Sequence, residues 1–252
     1  MQKLAANKAL NLSNDKKTKP IGETKMVITS YIIPILLILI ISTILIVTGL
    51  KKQPGIGILL AILIIGITIW IRDDNFSNLG LSPPQDWVRT ILWGLIFGIL
   101  IQLAAVAFIE PLSERITKTV HDHDVLKNVK GNWKAFLQWM VVVWIFVVFL
   151  EEGIYRGFLM TEVSTLLGKG IWGLAANIIF TSVVFGLSHG YQNRCGIIST
   201  GFVGILLGCI FVWSDFNLWL VIFTHGFIDT VGIGLIAING DKYIRQKVWK
   251  AE

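Results

Sequence analysis

Charge is scarce in this 252-residue chain: Asp, Glu, Lys and Arg make up 15% of it, against 54% hydrophobic residues, and the mean hydropathy is +0.70. A soluble domain of this length needs a more highly charged surface, so an ordinary water-soluble fold is excluded and a bilayer is the expected solvent. The same balance excludes intrinsic disorder. Cysteine is scarcer still. Cys195 and Cys209 lie in or beside apolar stretches; two residues make neither a disulfide framework nor a zinc knuckle, and both are expected as small packing residues. No basic face interleaved with aromatics on a soluble scaffold is present, so a nucleic-acid partner is excluded. Internal repeats of the kind carriers use are missing, as is a local H-E-x-x-H pair.

The formal charge of +6 is concentrated at the ends, with Lys3, Lys8, Lys16, Lys17, Lys19 and Lys25 in the first segment and Lys242, Arg245, Lys247 and Lys250 in the last. Basic ends belong beside a membrane surface. Between them lie apolar runs long enough to cross a hydrocarbon layer of roughly 30 Å. The first, Met26 to Leu50, is too long for a signal-peptide core and has no small-residue cleavage site after it, so it is expected to stay as an anchor. The next runs are Gly55 to Ile71, Val88 to Ile109, Lys134 to about Leu167, a fifth from the turn Gly168-Lys169-Gly170 to about Gly190, Cys195 to Trp213, and Leu218 to Ala237. Pro83-Pro84 makes the stretch from Arg72 to Trp87 a loop, and Glu110 to Asn132 is expected as the longest loop.

The fold class is therefore all-α, a polytopic membrane bundle of about seven helices. It divides into a polar basic tail (1–25), N-terminal transmembrane helices (26–132), a core (133–240) and a basic C-terminal tail (241–252). An odd number of spans puts the two lysine-rich ends on opposite sides, where both would prefer the cytoplasm. Gly94 and Gly98, Gly153 and Gly157, and Gly204 and Gly208 have the small-xxx-small spacing of close helix contacts. Trp70, Trp87, Trp133, Trp172 and Trp213 stand near span ends, where an interfacial belt would place them.

Ionisable groups within such runs cost at least roughly 2.5 kcal/mol each on insertion scales and so ask for a reason. They are Glu151, Glu152, Arg156, His189, His225 and Asp229. Glu152 and Arg156, four apart with the acid first, form a favourable helix pair, which leaves Glu151, turned about 100° away, free to act. The tight turn at Gly168 makes an antiparallel hairpin, in which Glu151 and His189 lie at the same depth, roughly 25 Å along each helix. His225 and Asp229 share a face, where Asp229 is expected to accept the imidazole N–H and orient the ring. One carboxylate and two imidazoles from three helices could then serve a water as general base and holders, or bind a metal; two His and one Glu are the protein ligands of many catalytic zinc sites. His121, Asp122, His123 and Asp124 have the types of metal ligands but read as a solvated polar run. Gln102, Gln138 and Asn177 are expected to bond between helices.

These residues resemble the CAAX prenyl protease and bacteriocin-processing (CPBP) family of intramembrane proteases. Its first motif, E-E-x-x-x-R, matches Glu151-Glu152-Gly153-Ile154-Tyr155-Arg156; F-x-x-x-H matches Phe185-Gly186-Leu187-Ser188-His189; H-x-x-x-N or D matches His225-Gly226-Phe227-Ile228-Asp229. The resemblance spans about Trp133 to Ile238. It implies peptide hydrolysis on a membrane-associated protein or peptide, with Glu151 activating water, His189 sharing in this, His225 and Asp229 polarising the scissile carbonyl, and Glu152, Arg156 and Phe185 completing or shaping the site. It leaves open whether the site holds no cofactor or one divalent metal, such as zinc, on Glu151, His189 and His225. Asp229 stands where Asn is commoner, which removes an amide donor, and seven spans are evident against eight in the prenyl-protein proteases. The Ile-rich, basic chain points to a multi-pass protein of a bacterial cytoplasmic membrane. The competing reading is a non-enzymatic immunity scaffold or carrier that uses the same polar cluster structurally or for ion binding.

Overall fold

The computed structural model describes residues 21–72 and 75–249, without the side chains of 21–30 and 76; most of the basic N-terminal tail lies outside them. The described residues form helices and no strands. Among the described residues, seven helices are long and apolar enough to cross a membrane, as the pattern of apolar runs implies. We number them α1 (Ile21–Leu50), α2 (Pro54–Arg72), α3 (Trp87–Thr117), α4 (Trp133–Leu167), α5 (Ile171–Ser188), α6 (Asn193–Trp213) and α7 (Leu218–Ile238), followed by the shorter α8 (Gly240–Trp249). Their outward faces carry large apolar side chains such as Leu59, Leu63, Leu100 and Leu137, suited to lipid rather than water. Trp70, Trp133, Trp172 and Trp213 are exposed near span ends, and Trp87 is partly so.

Short polar signals set the helix boundaries. Asp86, Asn132 and Asn217 cap the starts of α3, α4 and α7, their side-chain oxygens accepting from the N–H groups of Arg89, Ala135 and Trp219. Gly168 ends α4 at a φ of +77°, a conformation that glycine adopts without strain. The hairpin this turn creates places α5 against α4, and α6 packs along α5 while α3 packs along α7.

Loops tie the two ends of the bundle. At one end, Leu218 N–H donates to Gly80 O (2.8 Å) and Asn217 to Ser82 O (3.0 Å). At the other, Asn193 donates to Val120 O (2.6 Å) and Gly131 N–H to Ala237 O (2.9 Å), and Gly49 and Gly190 press on Ser188 and Leu50. This second end gathers the α1–α2 turn, the α3–α4 loop and the α5–α6 turn, and it is where the site opens.

Several expectations need correction. Glu110 to Asn132 is not all loop: α3 continues to Thr117, passing through a wide π turn at Ala105–Ile109. Its polar last turns are held by α8, the segment expected as a basic tail. Arg245 pairs with Glu110 and, at 2.9 Å, with Glu114. Trp249 Nε1 donates to Ala107 O (2.6 Å), the carbonyl four residues before Pro111, whose usual helical donor a proline cannot supply.

Of the glycine pairs, Gly94 and Gly98 make the tightest contact: a Cβ on Gly98 would stand 2.5 Å from Phe227 Cβ and 2.8 Å from Thr224 O on α7, while one on Gly204 or Gly208 would stand 3.2 Å from Ser182 Cβ or Ile178 Cγ2 on α5. Gly153 meets nothing within 4 Å, so its spacing with Gly157 marks no helix contact on its side. Cys195 is buried, but Cys209 faces outward and packs no core. Asn177 does bond between helices, donating to Met160 O (2.7 Å) and Ser164 Oγ (2.8 Å). Gln102 and Gln138 make no side-chain hydrogen bond among the described residues; Gln102 packs on Gly232 instead.

Candidate active site

Helix α4 is not a plain α-helix. Wide π turns at Val143–Val147 and Gly153–Met160 flank Val148–Glu152, the short α segment that ends in the two adjacent glutamates. π turns inside longer helices recur at functional sites. The π segment after the glutamates carries Tyr155 and Arg156 inward, and both are buried.

Glu151, His189 and His225 come together from α4, the end of α5 and α7. His189 Nε2 stands 3.8 Å from Glu151 Oε1, and His225 Nε2 stands 3.9 Å from Glu151 Oε2. The depth match inferred from the Gly168 turn therefore holds. Both gaps are too long for a direct hydrogen bond and are of the size that a bridging water fills.

The other nitrogen of each ring is already engaged. His189 Nδ1 lies 2.8 Å from Phe185 O. A carbonyl only accepts, so a proton sits on Nδ1, and in the neutral form of the ring the Nε2 lone pair turns toward Glu151. The family motif's phenylalanine thus acts through its backbone, while its ring lies against His189 and under the Arg156 guanidinium, 4.6 Å from the ring centre.

His225 departs from expectation. Its Nδ1 is 2.6 Å from Glu152 Oε1, whereas Asp229 Oδ1 stands 3.7 Å from Nε2 and makes no hydrogen bond. Glu152, not Asp229, orients this ring. The i,i+4 spacing brought Asp229 near the imidazole, but the fully buried carboxylate across the interface takes the N–H. Glu152 is accordingly more than the clasp of its own helix: it also accepts from Arg156 Nη1 at 2.8 Å, and Arg156 Nη2 reaches Gly204 O on α6 at 3.2 Å. One buried ion pair so fastens α4 to α6 and α7.

Glu151, His189, His225 and Asp229 line a cavity of about 290 Å³. Its wall includes residues that the motif reading missed: Tyr155, Ser188 and Tyr191. Tyr155 donates to Ser188 Oγ (2.6 Å), which donates to Phe185 O (2.7 Å). A hydroxyl residue immediately before His189, and a tyrosine inside the first motif, were the available signals. Pro54 and Gly55 of the α1–α2 turn and Val125 and Leu126 of the α3–α4 loop close the outer side.

Whether these donors suit a shared metal ion turns on convergence. The two imidazoles address opposite oxygens of Glu151, and no set of one ligand atom each from Glu151, His189, His225 and Asp229 gathers within 4.8 Å. As placed, they bracket the carboxylate and do not fit a single ion. Among the described residues, the one His/Cys/Asp/Glu group that meets that spacing is Glu110, His121 and His123.

This corrects the reading of the His121–Asp124 run as merely solvated. The His121 side chain is nine-tenths buried, 3.5 Å from Glu110 Oε1. Burial works against a charged His121, but Glu110 beside it outweighs this and raises its pKa. His123 is lowered by burial and by the neighbouring His121.

Residues 133–231 match the model of the type II CAAX prenyl endopeptidase Rce1-like family, and that stretch holds every residue of the three motifs. The match covers less than half of the chain. No curated protein and no solved structure matches the chain.

Proposed function

We propose that this protein is an integral membrane endopeptidase that hydrolyses a peptide bond of a membrane-associated protein or peptide, with Glu151 as the general base. The observation that carries the proposal is the pair of imidazole Nε2 atoms flanking the Glu151 carboxylate inside a cavity, each ring fixed by a bond at its other nitrogen. The match of residues 133–231 to the Rce1-like model supports the same class of reaction.

In this mechanism a water enters between Glu151 and His189. His189 Nε2 accepts one of its hydrogens, and Glu151 takes the other as the oxygen attacks the scissile carbonyl. His225, protonated at both nitrogens, gives its Nδ1–H to Glu152 and turns its Nε2–H to the carbonyl oxygen, and Asp229 borders the same space. The proton held by Glu151 then passes to the departing amine, so one water is consumed and two termini form. Tyr155, Ser188 and Tyr191 give the cavity a polar lining beside apolar walls, the composition of sites that seat a specific chain in a wet pocket.

The test compares membrane peptides by mass spectrometry from cells expressing wild type and Glu151→Gln at equal levels. The expected result is a cleavage product that disappears in the variant while the protein still inserts. Unchanged products in Glu151→Gln overturn the proposal. Activity that survives exhaustive chelation leaves the glutamate-base route alone, whereas loss on chelation that zinc restores assigns the water to a metal.

A further inference from the structure

We infer that Glu110, His121 and His123 form a second site, for a divalent transition-metal cation of the zinc class, between the last turns of α3 and the α3–α4 loop. One ligand atom from each lies within 4.8 Å of the other two. His121 Nδ1 is buried without a hydrogen-bond partner, on a side chain nine-tenths buried, and it faces Glu110 Oε1 at 3.5 Å. With metal–ligand bonds of about 2.0–2.2 Å, the edge of a tetrahedral zinc site is about 3.4 Å, so that pair already has the spacing of two ligands. Closing the third side needs a movement of His123, which sits in the loop's 3-10 turn region and is only partly buried.

The tautomer suits a ligand. In the structure Gln192 Oε1 accepts from Thr200 Oγ1 (3.2 Å) and Gln192 Nε2 donates to Tyr191 Oη (3.1 Å). With the amide in that orientation, His121 Nε2, 3.2 Å from the same Oε1, is the donor. The lone pair of Nδ1 is left aimed at a carboxylate. A proton placed there serves two atoms; a cation serves all three ligands at once.

Charge balance points the same way. Asp241 lines the same cavity of about 130 Å³ as Glu110 and His123. Asp229 lines it too. The one guanidinium paired with Glu110, that of Arg245, also serves Glu114, so the acids here outnumber the basic group bonded to them. Arg245 retains Glu114 when the cation takes Glu110.

The location gives such a cation a use. Leu126 and Asp229 line both this cavity and the one containing Glu151, and Val125 lines the latter. A cation on His121 and His123 would fasten the turn Asp124–Leu126 across the outer wall of the Glu151 cavity. The cation site itself does not depend on peptide hydrolysis.

The experiment uses the full chain, purified in detergent and stripped by chelation, in a Glu151→Gln/His189→Ala background that removes the Glu151 site as a competitor. Zinc is titrated by equilibrium dialysis with elemental analysis, and hydrogen exchange is followed over residues 119–127. The background protein should retain one zinc per chain and show slowed exchange in that segment. Adding His123→Ala should weaken zinc binding at least about tenfold and abolish the slowing, with the zinc-free thermal midpoint unchanged. If the background protein retains no zinc, or if His123→Ala holds it as tightly, the inference is overturned. A chain that cleaves no peptide but passes this test keeps its cation site.

Discussion

Two adjacent glutamates in one helix should behave as different kinds of residue, and Glu152→Gln against Glu151→Gln makes the comparison. Glu152 Oε1 receives two charge-assisted bonds, from Arg156 Nη1 at 2.8 Å and His225 Nδ1 at 2.6 Å, in a fully buried setting. Hydrogen bonds to charged groups contribute about 1.5–3 kcal/mol and neutral ones about 0.5–1.5 kcal/mol. Replacing the carboxylate by an amide keeps both acceptor contacts but loses about 1–1.5 kcal/mol in each. The sum, about 2–3 kcal/mol, is a factor of roughly 30–150 in the folding equilibrium. Removing the acceptor altogether in Glu152→Ala strands a buried guanidinium and should cost about 3–5 kcal/mol. Glu151 is different, because its oxygens stand 3.8 and 3.9 Å from the nearest imidazole nitrogens and border a cavity. Its amide variant should fall within about 1 kcal/mol of wild type. Unfolding in mixed micelles, followed through the ten tryptophans, measures all three variants. Equal loss in the two Gln variants, or none in Glu152→Gln, would refute the assignment of Glu152 as the buried tie between helices.

Two further outcomes follow from packing. Gly98→Ala should cost about 1–3 kcal/mol, because the added methyl meets the backbone of α7, while Gly153→Ala, facing open space, should be neutral or gain about 0.5–1 kcal/mol in the same unfolding assay. Asn177→Ala should lose about 1–2 kcal/mol, set between the modest average for bonds linking membrane helices and the larger cost of unpaired buried groups; wild-type stability in that variant would show the two bonds to α4 to be idle.

The spans were legible because lipid demands long apolar runs, and the borders at Lys51, Asp86, Asn132 and Gly168 are polar or turn-forming for local reasons. Glu151 and His189 could be paired because a tight hairpin converts distance along the chain into depth. Partners across the bundle were another matter. Spacing on α7 placed Asp229 beside His225, yet which nitrogen is bound depends on Glu152, 73 residues earlier. The same limit hid the His121 loop: its acid is Glu110 and the acid's counter-charge is Arg245, 135 residues further on. Polar residues at a span end read as solvated until the helix that covers them is in place. The Ala107 carbonyl, whose helical donor Pro111 cannot supply and which Trp249 meets instead, belongs to the same class of tertiary repair.

The widened turns in α4 make its length a functional variable. A widened turn holds about one residue more than a regular one, whereas each residue of a regular helix advances the phase by about 100°. Deleting a position inside Val143–Val147 would therefore let that turn close to a regular one with the direction of Glu151 kept, but a deletion in the regular stretch Trp133–Val142 would rotate one side of the helix against the other by more than a quarter circle. Substitutions could drift along this helix for a long time, but outside the widened turns its residue count is locked by the spacing of parts on three neighbours.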